Sequence, residues 1–281
     1  EELIGVDVCD SDRMSEFAVN NLNRVDKVIV PSNFCKEVFE KSGVKSKVFR
    51  IPHGLDPYWY ETPNVWVTKP ASSLNPAVLD LFLYKTRRKA KILLFWLWHS
   101  PERKGWNEVM KTYRAVRNIR KDVVLVLKTV APNPTEFLQI IDLGAINVYG
   151  WLDEANKIAL YDLADITLMF SRGGAWEMNC LESLGRGIPC LASNWGSWTD
   201  YVPDFLRVKT GRRVQPLPKN VIHVGYGYAV DVEDAVSKVL DVLDNYEEYK
   251  ARTEEWRSKV LANEFRWDLI AGKLIDVISS G

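Results

Sequence analysis

Two glycine-containing loops hold most of the side chains able to do chemistry. The first runs Trp98-His99-Ser100-Pro101-Glu102-Arg103-Lys104-Gly105. It follows an apolar run and enters a stretch with Trp106, Val109, Met110, Tyr113 and Val116 at helical spacing. A helix beginning there offers free N–H groups and a partial positive charge, and Arg103 and Lys104 add two full charges. That combination suits a diphosphate. A solvated Arg-Lys pair ahead of a helix has the same spacing. The second loop runs Ser171-Arg172-Gly173-Gly174-Ala175-Trp176-Glu177 and leads into a helix through Leu181 and Leu184. Its glycine pair lets backbone come close to a ligand. Glu182, about one turn into that helix, can accept hydrogen bonds from two adjacent hydroxyls, as on a ribose. It serves equally as an acid that favours the helix dipole.

Other residues are weaker candidates. His99 closes a buried run at the edge of the same crevice, so it is a catalytic candidate. Lys128 ends the run 123–127, either as a second cation or as an ordinary strand-end charge. His53, in Pro52-His53-Gly54-Leu55-Asp56, reads as a turn residue at a domain junction, and His223 as a loop residue. Asp10-Ser11-Asp12 has the D-x-D form of some metal-binding loops, but it lies outside the stretch that carries both glycine loops and is common by chance.

The elements that must position these residues alternate along the chain. Strands are predicted over 28–30, 48–51, 92–98, 123–127, 146–149, 166–170 and 188–192, with amphipathic stretches between them. Ser32 can cap a helix that Gly43 stops. Continuous apolar strands separated by helices give a parallel sheet covered on both faces: an α/β, doubly wound, Rossmann-like domain. Its ligands bind at the carboxyl ends of the strands, where both loops lie. The segment with Pro57, Pro63, Pro70 and Pro76 lacks clear periodicity and reads as a linker. Two helices close the chain, one with Val236, Val239, Leu240 and Leu243, the other with Trp267, Ile270, Leu274 and Ile278.

Composition excludes several classes. Lys plus Arg equals Asp plus Glu at 37 each, so no basic excess points to nucleic acid. Hydrophobic residues make up 47%, enough for a packed core. The four cysteines form no C-x-x-C pair and no zinc-like cluster, which fits reduced thiols and a cytoplasmic setting. No run reaches the roughly 20 residues of a membrane span, although peripheral contact with a membrane surface stays open.

Four segments, in order, resemble the family-four group of retaining glycosyltransferases, which have the two-domain GT-B fold. They are "VDKVIVPSNFCKEVFEKSGV" with "VFRIPHGLD", then "ERKGWNEVM", then "INVYGWLDEANKIALYDLADITLMFSRGG", then "LESLGRGIPCLAS". "FRWDLIAGKLIDVI" is a fainter echo. The resemblance implies three regions: 1–56 as the end of an acceptor-side domain, 57–262 as the nucleotide-sugar donor domain, and 263–281 as a helix crossing back. A start without Met fits a chain that lacks upstream acceptor-domain residues.

The resemblance also implies roles. Lys104, with Ser100 and Arg103 in its loop, would hold the donor diphosphate. Gly150, Trp151 and Leu152 would contact the nucleobase through backbone, and Glu182 the ribose. Arg172, Gly173, Gly174, Ala175 and Trp176 would bring amides and charge to phosphates and sugar. Two departures stand out. The family's first glutamate falls at Gly174, with Glu177 three residues later, so either Glu177 reaches the sugar from a reshaped loop or that carboxylate is missing. Its usual arginine before the Lys-Gly turn is absent, and Trp98 stands near that place. The implied reaction is sugar transfer from a nucleotide diphosphate sugar to an acceptor hydroxyl on a carbohydrate, lipid or other molecule. It would proceed with retention, without metal or further cofactor. A binding module without catalysis, and a nucleotide-sugar 2-epimerase, are the alternatives.

Overall fold

The computed structural model describes residues 2–68 and 73–280. The chain opens with a parallel sheet of three strands, β1 (Ile4–Val6), β2 (Lys27–Val30) and β3 (Lys47–Arg50), in that order. Helices α1 (Glu16–Leu22) and α2 (Asn33–Ser42) cover one face. Val28, Val30 and Val48 meet Val38 and Phe39 there in a small separate core. Ser32 caps α2 through the Cys35 N–H, and Gly43 ends it at φ 102°, as the sequence predicts.

The stretch expected to be a linker is helical: α3 (Pro57–Glu61), α4 (Val65–Thr68) and α5 (Pro76–Arg88). This corrects the sequence reading. Pro57 and Pro76 occupy first-turn positions, where a missing N–H costs nothing. Asn75 caps α5, and Val78 and Leu81 are buried on its inner face. Pro70 lies outside the described residues.

The larger body is an all-parallel sheet of six strands: β4 (Lys91–Leu97), β5 (Val123–Thr129), β6 (Ile146–Tyr149), β7 (Ile166–Met169), β8 (Cys190–Ser193) and β9 (Arg207–Val208). Their order is β6-β5-β4-β7-β8-β9. Renumbered within the sheet this is 3-2-1-4-5-6, the doubly wound pattern whose order reverses between β4 and β7. Helices α6 (Trp106–Ile119), α7 (Pro134–Asp142), α8 (Glu154–Leu163) and α9 (Met178–Gly185) connect the strands. The strand interiors are buried on both faces, which is why they read as unbroken apolar runs. A two-stranded antiparallel ribbon, β10 (Thr210–Val214) with β11 (Gly227–Val230), follows. Helices α10 (Val232–Asp244) and α11 (Tyr246–Trp256) continue through a π-helical turn, Arg257–Leu261, into α12 (Ala262–Glu264).

The last helix, α13 (Trp267–Ser279), lies against the N-terminal sheet: Lys27 Nζ donates to the Val277 carbonyl at 3.0 Å and to that of Ser280. A second tie is Asp200, whose Oδ2 accepts from the Asn33 N–H at 2.9 Å and from Arg50 Nε at 3.0 Å. Asp200→Asn removes the charge that assists both bonds and is expected to lower stability by about 1–2 kcal/mol. A urea unfolding midpoint that does not move would show that this tie contributes nothing.

Candidate active site

The loops after β4 and β7 flank the point where strand order reverses, and two contacts stitch them together. The Arg172 N–H donates to the Arg103 carbonyl at 2.7 Å. Gly105, at φ 73°, packs so closely that a Cβ there would stand 2.1 Å from the Phe170 carbonyl oxygen. This holds the Arg103-Lys104 corner over the crevice, and Gly105 caps α6.

Glu177 sits at the centre. Its side chain is 3% exposed, with Lys104 Nζ at 2.5 Å, Arg103 Nη1 at 3.5 Å and the Ser171 hydroxyl donating at 2.9 Å. Burial pushes its carboxyl up, but the charges of Lys104 and Arg103 outweigh this and leave it below its ordinary value. A Cβ built at Gly174 would lie 2.8 Å from Glu177 Oε1. The carboxylate therefore occupies the space into which a side chain at 174 would point.

Glu182, also buried, accepts from Lys157 Nζ at 2.9 Å and from the Tyr161 hydroxyl at 2.7 Å. Each oxygen keeps a second lone pair for a ligand hydroxyl. Arg103, Lys104, Lys157, Glu177 and Glu182, with Trp96, Trp98, His99, Lys128, Trp151 and Trp176, line one cavity of about 650 Å³. Burial, then the nearby charges of Arg103 and Lys104, lower the His99 pKa and favour neutral imidazole. Ser100, at φ 52°, places its hydroxyl 3.1 Å from His99 Nδ1. Lys128 is 2% exposed, and burial pulls its pKa down to about 8.

Arg172 is not brought to the crevice. Its guanidinium forms a buried bidentate pair with Glu108 on α6, at 2.7 and 2.8 Å from Nη2. Arg103 is the arginine that faces Glu177. Of the second loop, Gly173 and Ala175 meet the N-terminal segment: the Ala175 N–H donates to Asp10 Oδ1 at 3.0 Å, and a Cβ at Gly173 would strike the Asp10 carbonyl oxygen at 2.0 Å. Both D-x-D carboxylates have protein partners, since Asp12 accepts from the Tyr226 N–H at 2.6 Å and from Arg213 at 2.9 Å. His53 packs edge-on to Trp176 and Trp267, away from the cations. Ser171, Lys157 and Tyr161 are site residues that sequence reasoning missed. Ser171 had a signal, being the first polar residue after β7.

The chain superposes on a structure described as "Trehalose-6-phosphate from E. coli bound with UDP-2-fluoro glucose", with a TM-score of 0.69 at 10% identity, over 94% of this chain and 63% of that one. It matches the pneumococcal O-GlcNAc transferase GtfA with a TM-score of 0.68 at 12% identity, over 99% and 52%. Thermosynechococcus elongatus sucrose-phosphate synthase gives 0.63 at 16%, over 92% and 59%. The fold is GT-B type. The GT-B chain thus spans between half and two thirds of the length of these structures. In sequence it is 29% identical over 280 residues to "Uncharacterized protein 356" of Sulfolobus islandicus rod-shaped virus 1, covering 98% of this chain and 76% of that protein. It is 26% identical over 268 residues to "Putative glycosyltransferase 45" of a Sulfolobus islandicus filamentous virus, covering 92% and 68%. No family model matches.

Proposed function

We propose that this chain is the donor-binding part of a retaining glycosyltransferase that uses a nucleotide diphosphate sugar without a metal ion. The observation that carries the reading is the Lys104–Arg103–Glu177 cluster at the strand-order reversal of a GT-B sheet. Two of the matched structures are complexes with UDP or a UDP-sugar, and one viral relative carries a glycosyltransferase name.

In the proposed reaction the bond from the sugar's anomeric carbon to the phosphate oxygen breaks. Lys104 and Arg103 neutralise the departing diphosphate, fixed in place before the charge develops. Glu177 holds the donor sugar and Glu182 the ribose. The acceptor hydroxyl attacks from the leaving-group face, its oxygen bonds to the anomeric carbon, and its proton passes to the leaving phosphate.

Calorimetric titration with UDP, GDP and ADP, with and without EDTA, tests this. One nucleotide is expected to bind equally well in EDTA, and Lys104→Ala to weaken it about tenfold or more, about 1.4 kcal/mol. Binding that vanishes in EDTA, or is indifferent to Lys104→Ala, would remove the basis for the reading.

A further inference from the structure

Strand order decides what stands at the outer end of the crevice. β5 lies between β6 and β4. Trp151 follows β6 and Trp98 follows β4, so they extend the two strands that flank β5, which carries Lys128 near its end, and their indoles meet. Their ring centroids are 5.0 Å apart and the planes cross at 84°. Trp151 is 73% exposed and Trp98 44%. Two large aromatic surfaces left in water at a cavity mouth are suited to a planar partner.

Lys128 is the opposite case, a charge-bearing group withdrawn from water. Its ammonium donates to the carbonyls of Thr129, at 3.1 Å, and Gly150. A lysine has three donors, and among the described residues no carboxylate pairs with this one. The other basic side chains lining the cavity do have carboxylates: Lys104 and Arg103 share Glu177, and Lys157 holds Glu154 and Glu182.

Resting on the nucleotide-sugar reading above, we propose that the donor's base lies against Trp98 and Trp151, and that Lys128 selects a base with a ring carbonyl, such as uracil, thymine or guanine, over adenine. Stacking on an aromatic face tolerates every base, so the indoles supply affinity and not choice. An ammonium only donates. Guanine O6 and thymine or uracil O4 accept, whereas adenine presents an amino group at the equivalent position. The cation makes such a bond charge-assisted. The diphosphate would then run from the end of β5 towards Lys104 and Arg103, in line with the strand ends.

The test is calorimetry with UDP, GDP, ADP and inorganic pyrophosphate on the full chain, beside Trp151→Ala, Trp98→Ala and Lys128→Met. UDP or GDP is expected to bind at least about tenfold more tightly than ADP. Each Trp→Ala variant is expected to weaken that nucleotide by about 10- to 100-fold and leave pyrophosphate unchanged. Lys128→Met is expected to bring the preferred nucleotide and ADP within about threefold of each other. If ADP binds best, if the tryptophan variants bind like the parent, or if Lys128→Met keeps the preference, the base site is overturned while the donor-site reading stands. If neither nucleotides nor pyrophosphate bind to a chain that melts cooperatively, both fall together.

Discussion

Glu177→Gln is expected to slow sugar release from the donor by about 100-fold or more, while nucleotide diphosphate binds at least as tightly as to the parent chain. The two effects have opposite signs because Glu177 has two relations to its surroundings. In the proposed reaction its carboxylate, in the space beside Gly174, faces the donor sugar. Losing its charge removes an interaction that grows as positive charge develops on the sugar ring. Towards Lys104 and Arg103 it is an anion already in contact with the cations a diphosphate needs. Losing the charge there removes a competitor. Gln keeps the volume and can still accept from Ser171, so the fold should persist. It should be less stable without ligand, since two cations with side chains 10–15% exposed lose the Glu177 charge, Arg103 keeping the Asp10 carboxylate at 3.9 Å. Nucleotide diphosphate should therefore raise the melting temperature of the variant more than that of the parent. Turnover and affinity falling together would mean that Glu177 only scaffolds the loop. Unchanged turnover would reduce it to a counter-ion.

The parallel sheet was legible because burial on both faces leaves a signal that depends on nothing distant. Residues 92–97 are apolar throughout since each meets a helix or a neighbouring strand. The Lys104-Gly105 turn and the placement of Glu182 on α9 were legible for a related reason: a glycine at the start of an amphipathic helix and an acid within a short helix are local facts. What could not be read were choices made by residues far apart in sequence. Arg103 and Arg172 are equivalent by type and lie in adjacent loops. Only Glu108, buried in the first turn of α6, draws Arg172 away, from 64 positions distant. Asp10 is similar, as nothing near it predicts the Ala175 amide. The helices of 57–88 were missed for a different reason. Prolines at first-turn positions mimic loop punctuation, and α5 buries few side chains because much of it faces solvent.

Lys128→Met is expected to make the ligand-free chain more stable near neutral pH, by about 1–3 kcal/mol. A lysine that is 2% exposed, with carbonyls but, among the described residues, no carboxylate to meet its charge, opposes folding whenever it is protonated. Methionine fills a similar volume without that cost. The pH dependence identifies the cause. Burial lowers the folded-state pKa from the ordinary 10.5 to about 8. Below about pH 8 the amine is charged in both the folded and the unfolded chain, and the fold bears the whole penalty. Between about pH 8 and 10.5 the folded chain has released a proton that the unfolded chain still holds, so parent stability rises with pH across this window. The variant's advantage should therefore be largest near pH 7 and small near pH 10 in paired urea titrations. A variant less stable than the parent at both pH values would make Lys128 a structural brace between β5 and the Gly150 turn. A gain in stability joined to a loss of base preference would instead mark a charge kept in a costly position because the ligand needs it there.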